Sequence, residues 1–193
     1  MTNGVNNMLL RLFIAIEISS HVKSQIAHVI SELKETHADV RWEQTDKLHI
    51  TLKFLGDTNN VLLTPLSAAL EECAKRFHPF SIAFKNLGCF PNRREPRVVW
   101  VGVEESGSTL QQLAEVVESS MAALGFERET RRFHAHVTIG RVKGNRNIND
   151  LLSRMESITF ESQPTYVSEV VLIKSELKPS GSVYTTLRSF ILS

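Results

Sequence analysis

Leu48-His49-Ile50-Thr51-Leu52 and Ala135-His136-Val137-Thr138-Ile139 carry one pattern twice: apolar, His, apolar, Thr, apolar. Alternation of this kind predicts a strand, on which side chains two residues apart share a face. Each segment therefore presents an imidazole and a hydroxyl side by side and turns its aliphatic residues the other way. Two such pairs turned toward each other make a cleft with two proton carriers and two hydroxyl donors. That set suits a reaction in which one proton is removed and another delivered while an anion is held between them.

Two His-x-Thr pairs are not rare in 193 residues with seven histidines; their placement gives them weight. The apolar run from Leu12 to Ile16 begins 37 positions before His49, and the run from Val98 to Val103 begins 38 before His136. Between each run and its His-x-Thr lies a helical pattern. The chain reads as a strand–helix–strand unit used twice, with the histidine at the same place in each.

Working outward, Ser19 or Ser20 caps a first helix whose apolar stripe is Val22, Ile26, Val29, Ile30 and Leu33. The first His-x-Thr strand is expected over 47–55, stopped by Gly56-Asp57. A second helix is expected over about 60–77, with Pro65 in its first turn, and a strand over 80–84. Gly88 to Arg97, with two prolines and three arginines, reads as a loop. A third helix is expected over about 108–124, the second His-x-Thr strand over 131–139, and a short helix from Asn149 to Met155. Strands over 166–175 and 184–192 are joined by a turn at Pro179-Ser180-Gly181. Short strands alternating with two helices per half predict an α+β fold. The expected form is one domain over 1–193 with two pseudo-symmetric lobes. Each lobe is an antiparallel sheet with outer helices, and the pair flanks a central groove lined by the motifs at 49–52 and 136–139. Residues 1–7 are polar and expected to fray.

Composition removes several classes. A net charge of +1 leaves nucleic-acid contact to local patches. Cys73 and Cys89 fit no metal spacing or disulfide framework and read as small buried hydrophobes. No apolar run approaches a membrane span, and Leu9 to Ile18 lacks a cleavage site, so a cytoplasmic protein is expected.

Histidine gives and takes protons near neutrality, and a pair can divide general-base and general-acid roles. That suits phosphodiester cleavage without a metal: one ring activates water or a sugar hydroxyl, and the other protonates the departing sugar oxygen. Thr51 and Thr138 are placed to donate to phosphate oxygens as charge builds there. A metal site is the competing use of two histidines, but no carboxylate or cysteine accompanies them at ligand spacing.

The chain resembles the 2H phosphoesterase superfamily, and within it the RNA 2′,3′-cyclic phosphodiesterases, also called 2′-5′ RNA ligases. Five stretches in order carry the resemblance: residues 11–16, 48–56, 90–102, 133–141 and 175–184. One departure is Ala135, where the family usually has proline; its loss frees φ and restores an N–H donor.

The resemblance implies two lobes around a water-filled groove and a metal-independent, cofactor-free reaction. His49 would be the proton donor and His136 the proton acceptor, with Thr51, Thr138 and Arg141 on the phosphate. The implied reaction opens a terminal 2′,3′-cyclic phosphate to a 2′-phosphate on RNA, tRNA halves among the substrates, with 2′-5′ ligation as its reverse. Strict alternation puts Arg141 on the wrong face, so the strand must end or twist near Gly140. Arg93, Arg94 and Arg97 form a basic loop suited to steering an RNA backbone. His134 shares parity with His136. Phe13 is a candidate for stacking a base, with core packing as its other reading. No sequence signal marks an oligomer, and a monomer is expected. Two other readings remain: a 2H phosphodiesterase for a small cyclic nucleotide, and a non-catalytic RNA-binding module.

Overall fold

The computed structural model describes residues 7–105, 107–179 and 181–193. Most of the expected frayed segment, residues 1–6, and Ser180 of the expected turn lie outside that description. Among the described residues the chain forms nine strands and four helices: β1 (Leu9–Glu17), α1 (Ser20–Lys34), β2 (Val40–Trp42), β3 (His49–Asn59), α2 (Leu63–Ala74), β4 (Phe80–Phe90), β5 (Val98–Glu104), α3 (Thr109–Ala123), β6 (His136–Val142), α4 (Ile148–Ser157), β7 (Thr165–Val167), β8 (Glu169–Lys178) and β9 (Gly181–Ile191).

The fold is α+β with two antiparallel halves, as the motif spacing predicts. One half runs β3-β1-β8-β9 and the other β6-β5-β4-β7. They join edge to edge at β3 and β6 through one residue pair, Ile50↔Val137. The halves exchange strands. β4 follows the first half's second helix yet pairs with β5, and β8 follows the second half's second helix yet pairs with β1. Each lobe is thus completed by chain from the other repeat.

One apolar core runs under both lobes, taking Ile14 and Ile16 from β1, Val99 and Val101 from β5, and residues of all four helices. The helices bury the stripes that the sequence predicts, Val22 to Leu33 on α1 and Leu110 to Met121 on α3. Ser19 Oγ accepts from the Val22 N–H at 3.3 Å and caps α1. The N-terminus of α3 is served by Glu105, whose carboxylate accepts from the Leu110 N–H. The opposite face of β1 carries a second, smaller apolar cluster: Phe13, Ala15, Val171 and Ile173, with Tyr184 packed on it.

Several boundaries differ from expectation. β3 does not stop at Gly56; that glycine takes φ +69° and the strand continues to Asn59. Residues 131–135 are irregular, and the second motif strand begins at His136 itself. α4 begins at Ile148, with Asn147 ahead of it in the left-handed region at φ 54°.

Candidate active site

Ile50 and Val137 are both fully buried, so their neighbours on each strand turn the other way. Antiparallel register one step either side of Ile50↔Val137 sets His49 beside Thr138 and Thr51 beside His136. Each histidine therefore lies across the seam from the other motif's hydroxyl, and all four side chains share one half-buried face.

Both rings are tethered in one way. His49 Nδ1 lies 2.7 Å from the Lys47 carbonyl, and His136 Nδ1 lies 2.7 Å from the His134 carbonyl. A carbonyl only accepts, so Nδ1 carries the proton and Nε2 is left for chemistry. The Thr51 hydroxyl donates to His49 Nε2 at 3.1 Å.

Burial pushes the pKa of His49 below 6.5; Lys23 and His136 lower it further, while the Lys47 carbonyl and Glu17 raise it. His136 is also held below 6.5, by burial first, with His134 and Arg141 adding to the effect and the His134 carbonyl opposing it. The reach of the His136 charge to His49 across the seam puts both rings in one electrostatic space.

Aromatic rings back each imidazole. Phe13 lies 4.8 Å from the His49 ring and Tyr184 meets it edge-on at 5.5 Å. Phe90 meets His136 edge-on at 5.0 Å, with Trp100 and the exposed His134 around them. Phe13 is only 2% exposed, so of its two sequence readings packing holds: it is a floor under His49, not an open stacking surface.

Immediately after each threonine the strand bulges. β1 steps from Ala15↔Thr51 to Ile14↔Lys53, which leaves Leu52 as an extra residue. β5 steps from Trp100↔Thr138 to Val99↔Gly140, which leaves Ile139 extra. Two successive residues then turn inward, Leu52 with Lys53 and Ile139 with Gly140, and parity flips. The flip brings Arg141 to the face of His136 and Thr138, which settles the parity conflict noted in the sequence. It brings Phe54 to the face of His49; Phe54 is 66% exposed and its ring is 5.8 Å from Phe13. A side chain at Gly140 would strike Val40 and Trp42, with a Cβ 2.7 Å from Val40 Cγ1.

The charged surroundings include groups the sequence does not single out. Arg141 Nε lies 3.5 Å from Glu43 Oε1. Tyr184 has its phenol pKa raised by burial first and then by Glu43, against Arg141 and Arg41, so these four gather where the lobes meet. Lys53 is buried beneath the motif and donates to both Glu118 carboxylate oxygens, at 2.8 and 2.7 Å, and to the Glu127 carbonyl at 2.9 Å.

The basic loop divides. Arg93 turns to α4, where it pairs with Glu156 and donates to the Leu152 carbonyl. Arg94 and Arg97 line a concavity of about 940 Å³ together with Lys143 and Asn145. Glu95 and Asp150 share that lining, and residues 147–150 at the start of α4 close it; none of the two motif histidines, the two motif threonines or Arg141 takes part. Among the described residues no three His, Cys, Asp or Glu side chains gather as a metal ion needs.

A duplicated antiparallel sheet with one His-x-Thr from each repeat meeting across its seam defines a two-histidine phosphoesterase. The family model described as LigT like Phosphoesterase matches residues 16–100 and again 101–184, and the chain belongs to that family. A relative from Methanothermobacter thermautotrophicus, named RNA 2′,3′-cyclic phosphodiesterase, is 34% identical over 188 residues, 96% of this chain and 100% of its own. The crystal structure of TT0787 of Thermus thermophilus has a TM-score of 0.79 at 26% identity over 95% of this chain and 98% of that one. The crystal structure of E. coli LigT complexed with 3′-AMP has a TM-score of 0.73 at 27% identity over 96% and 99%.

Proposed function

We propose that the groove hydrolyses the 2′,3′-cyclic phosphate at an RNA end to a 2′-phosphate, with no metal or other cofactor. The observation that carries this reading is the matched tethering of His49 and His136, each presenting Nε2 to the face it shares with Thr51 and Thr138. His136 Nε2 takes a proton from water as the water oxygen attacks phosphorus. The P–O3′ bond breaks, and O3′ takes the proton carried by His49 Nε2. When His49 is protonated its Nε2 no longer accepts from Thr51, so that hydroxyl is free to donate to a phosphate oxygen. Thr138 and Arg141 serve the same charge from the second lobe. Phe54 offers an open ring to the terminal base, and Arg94 and Arg97 suit the backbone beyond it.

RNA as substrate rests on what the relatives are named and on the exposed guanidiniums of Arg94 and Arg97. Ligation to a 2′-5′ bond is the same route reversed, with an RNA 5′-hydroxyl in place of water. The reading carries with it a cytoplasmic monomer acting on RNA ends such as tRNA halves. Among the described residues no helix is long and apolar enough to cross a membrane.

The test is hydrolysis of a short RNA ending in a 2′,3′-cyclic phosphate, in EDTA, by the wild type, His49→Ala and His136→Ala. A 2′-phosphate product, lost in both variants, supports the reading. A 3′-phosphate product would overturn the assignment of His49 as the acid on O3′. No turnover of RNA, with turnover of small cyclic nucleotides, would move the substrate to the latter. Binding without turnover of either would leave an RNA-binding module.

A further inference from the structure

The short strand β2 pairs with β6 so that Arg41 lies directly opposite Arg141. Residues opposite one another in an antiparallel pair project to the same face, and like charges so placed oppose the fold. Arg141 faces the groove, so Arg41 faces it too. The positive charge of Arg41 is felt at the Tyr184 phenol, whose ring touches His49.

Only Arg141 of the two is matched. Glu43 lies near Arg141 Nε, whereas Arg41 is exposed and, among the described residues, makes no ion pair or hydrogen bond. A three-residue strand thus holds a second, uncompensated guanidinium at the edge of the site. Such an arrangement is disfavoured in the free protein and relieved when an anion arrives.

The terminal nucleotide of an RNA carries two phosphorus centres on one ribose. One bridges O2′ and O3′, and the other is the phosphodiester at O5′. We propose that Arg41 binds the O5′ phosphate while Arg141 binds the reacting one, so that the pair selects polynucleotide ends over nucleosides with a single phosphate. This deepens the reading above and rests on it for the identity of the reacting group.

The test measures binding of three ligands to wild type and Arg41→Gln: a nucleoside 2′-monophosphate, the same nucleoside 2′,5′-bisphosphate, and a short RNA ending in a 2′-phosphate. Arg41→Gln is expected to weaken the bisphosphate and the RNA about tenfold, the size of one charged hydrogen bond, and to leave the monophosphate unchanged within about twofold. The slope of log affinity against log salt for the RNA should become shallower by about 0.7. Melting of the free variant should not fall, since the change removes a repulsion. Weakening of the RNA alone, with the bisphosphate unaffected, would overturn the O5′ assignment. Equal weakening of all three ligands, or of none, would overturn the subsite, as would a wild type that binds none of them. Arg41-dependent binding without hydrolysis of a cyclic phosphate would reject the phosphodiesterase reading instead, and hydrolysis indifferent to Arg41 would reject only the subsite.

Discussion

Phe54 and Arg141 occupy one position in the two repeats: each lies three residues past a motif threonine and is turned to the groove by a one-residue bulge. The repeat is symmetric in backbone and asymmetric in chemistry, a ring on one lobe and a guanidinium on the other. Phe54→Ala is expected to raise KM for a cyclic-phosphate RNA by about tenfold, since stacking a base is worth roughly 1–3 kcal/mol, with kcat little changed. Arg141→Ala is expected to lower kcat/KM by about 10²–10³-fold, the cost of losing a donor to developing charge. Steady-state kinetics on one oligonucleotide separates the two, and a kcat loss in Phe54→Ala would argue against a binding role.

Past the bulge that follows Thr138, Gly140 lies tight against the side chains of β2. An added Cβ would sit 2.7 Å from Val40 Cγ1 and 2.9 Å from Trp42 Cε3, so Gly140→Ala must push β2 away. The expected loss is about 1–3 kcal/mol of stability, as for other overpacked sites. Gly107→Ala meets nothing within 4 Å and serves as the neutral control. Thermal melting of the two variants side by side checks this.

Both histidines titrate below the ordinary imidazole value, and the consequence for rate has a definite sign. In the proposed reaction His136 is the base and must be neutral, so kcat/KM is expected to fall as pH drops below its pKa. In the same proposal His49 is the acid and must be protonated, so kcat/KM is expected to fall as pH rises above its own. Both lie below 6.5, which puts the maximum at a pH under 6.5. Lys23→Gln removes a charge that opposes His49 protonation and should move the alkaline limb up. Glu17→Gln removes one that favours it and should move the limb down. A profile level through pH 8 would rule out His49 as the acid. The same lowered values make the fold acid-sensitive: the stability of keeping the rings neutral is full above pH 6.5 and is lost as pH falls through the folded values.

Lys53 is 4% exposed at its side chain and satisfied three times over, by Glu118 and by the Glu127 carbonyl. Glu118→Ala strands that ammonium and should cost about 3–5 kcal/mol, whereas Lys53→Met with Glu118→Leu should be close to neutral. Denaturant melts of the single and double variants test the difference.

The motif faces are legible in the sequence because a period of two over five residues is a strong local signal, and Ile50 and Val137 are as buried as it requires. The bulges are not, since one extra residue leaves no trace in composition; only the conflict over Arg141 points at one. Arg41, Glu43 and Phe54 escape the sequence for related reasons. A three-residue strand has no period to read, and Phe54 looks like a core residue until the shift at Leu52 is known. Tyr184 reaches His49 through the register of the β8–β9 hairpin, which the turn residues do not disclose. Arg131 to Ala135 extends the alternating motif on paper, although its arginines offer the sheet no apolar face.

The exchange of β4 and β8 between lobes has a consequence for how the chain emerges during synthesis. β1, Leu9–Glu17, leaves the ribosome well ahead of β8, Glu169–Lys178, the neighbour that covers one of its edges. A strand of nine mostly apolar residues must therefore wait while everything from Ile18 to Ser168 is made. Long-range pairing of this kind is slow and leaves an unpaired edge exposed to other chains, so the newborn protein is most vulnerable to aggregation through β1.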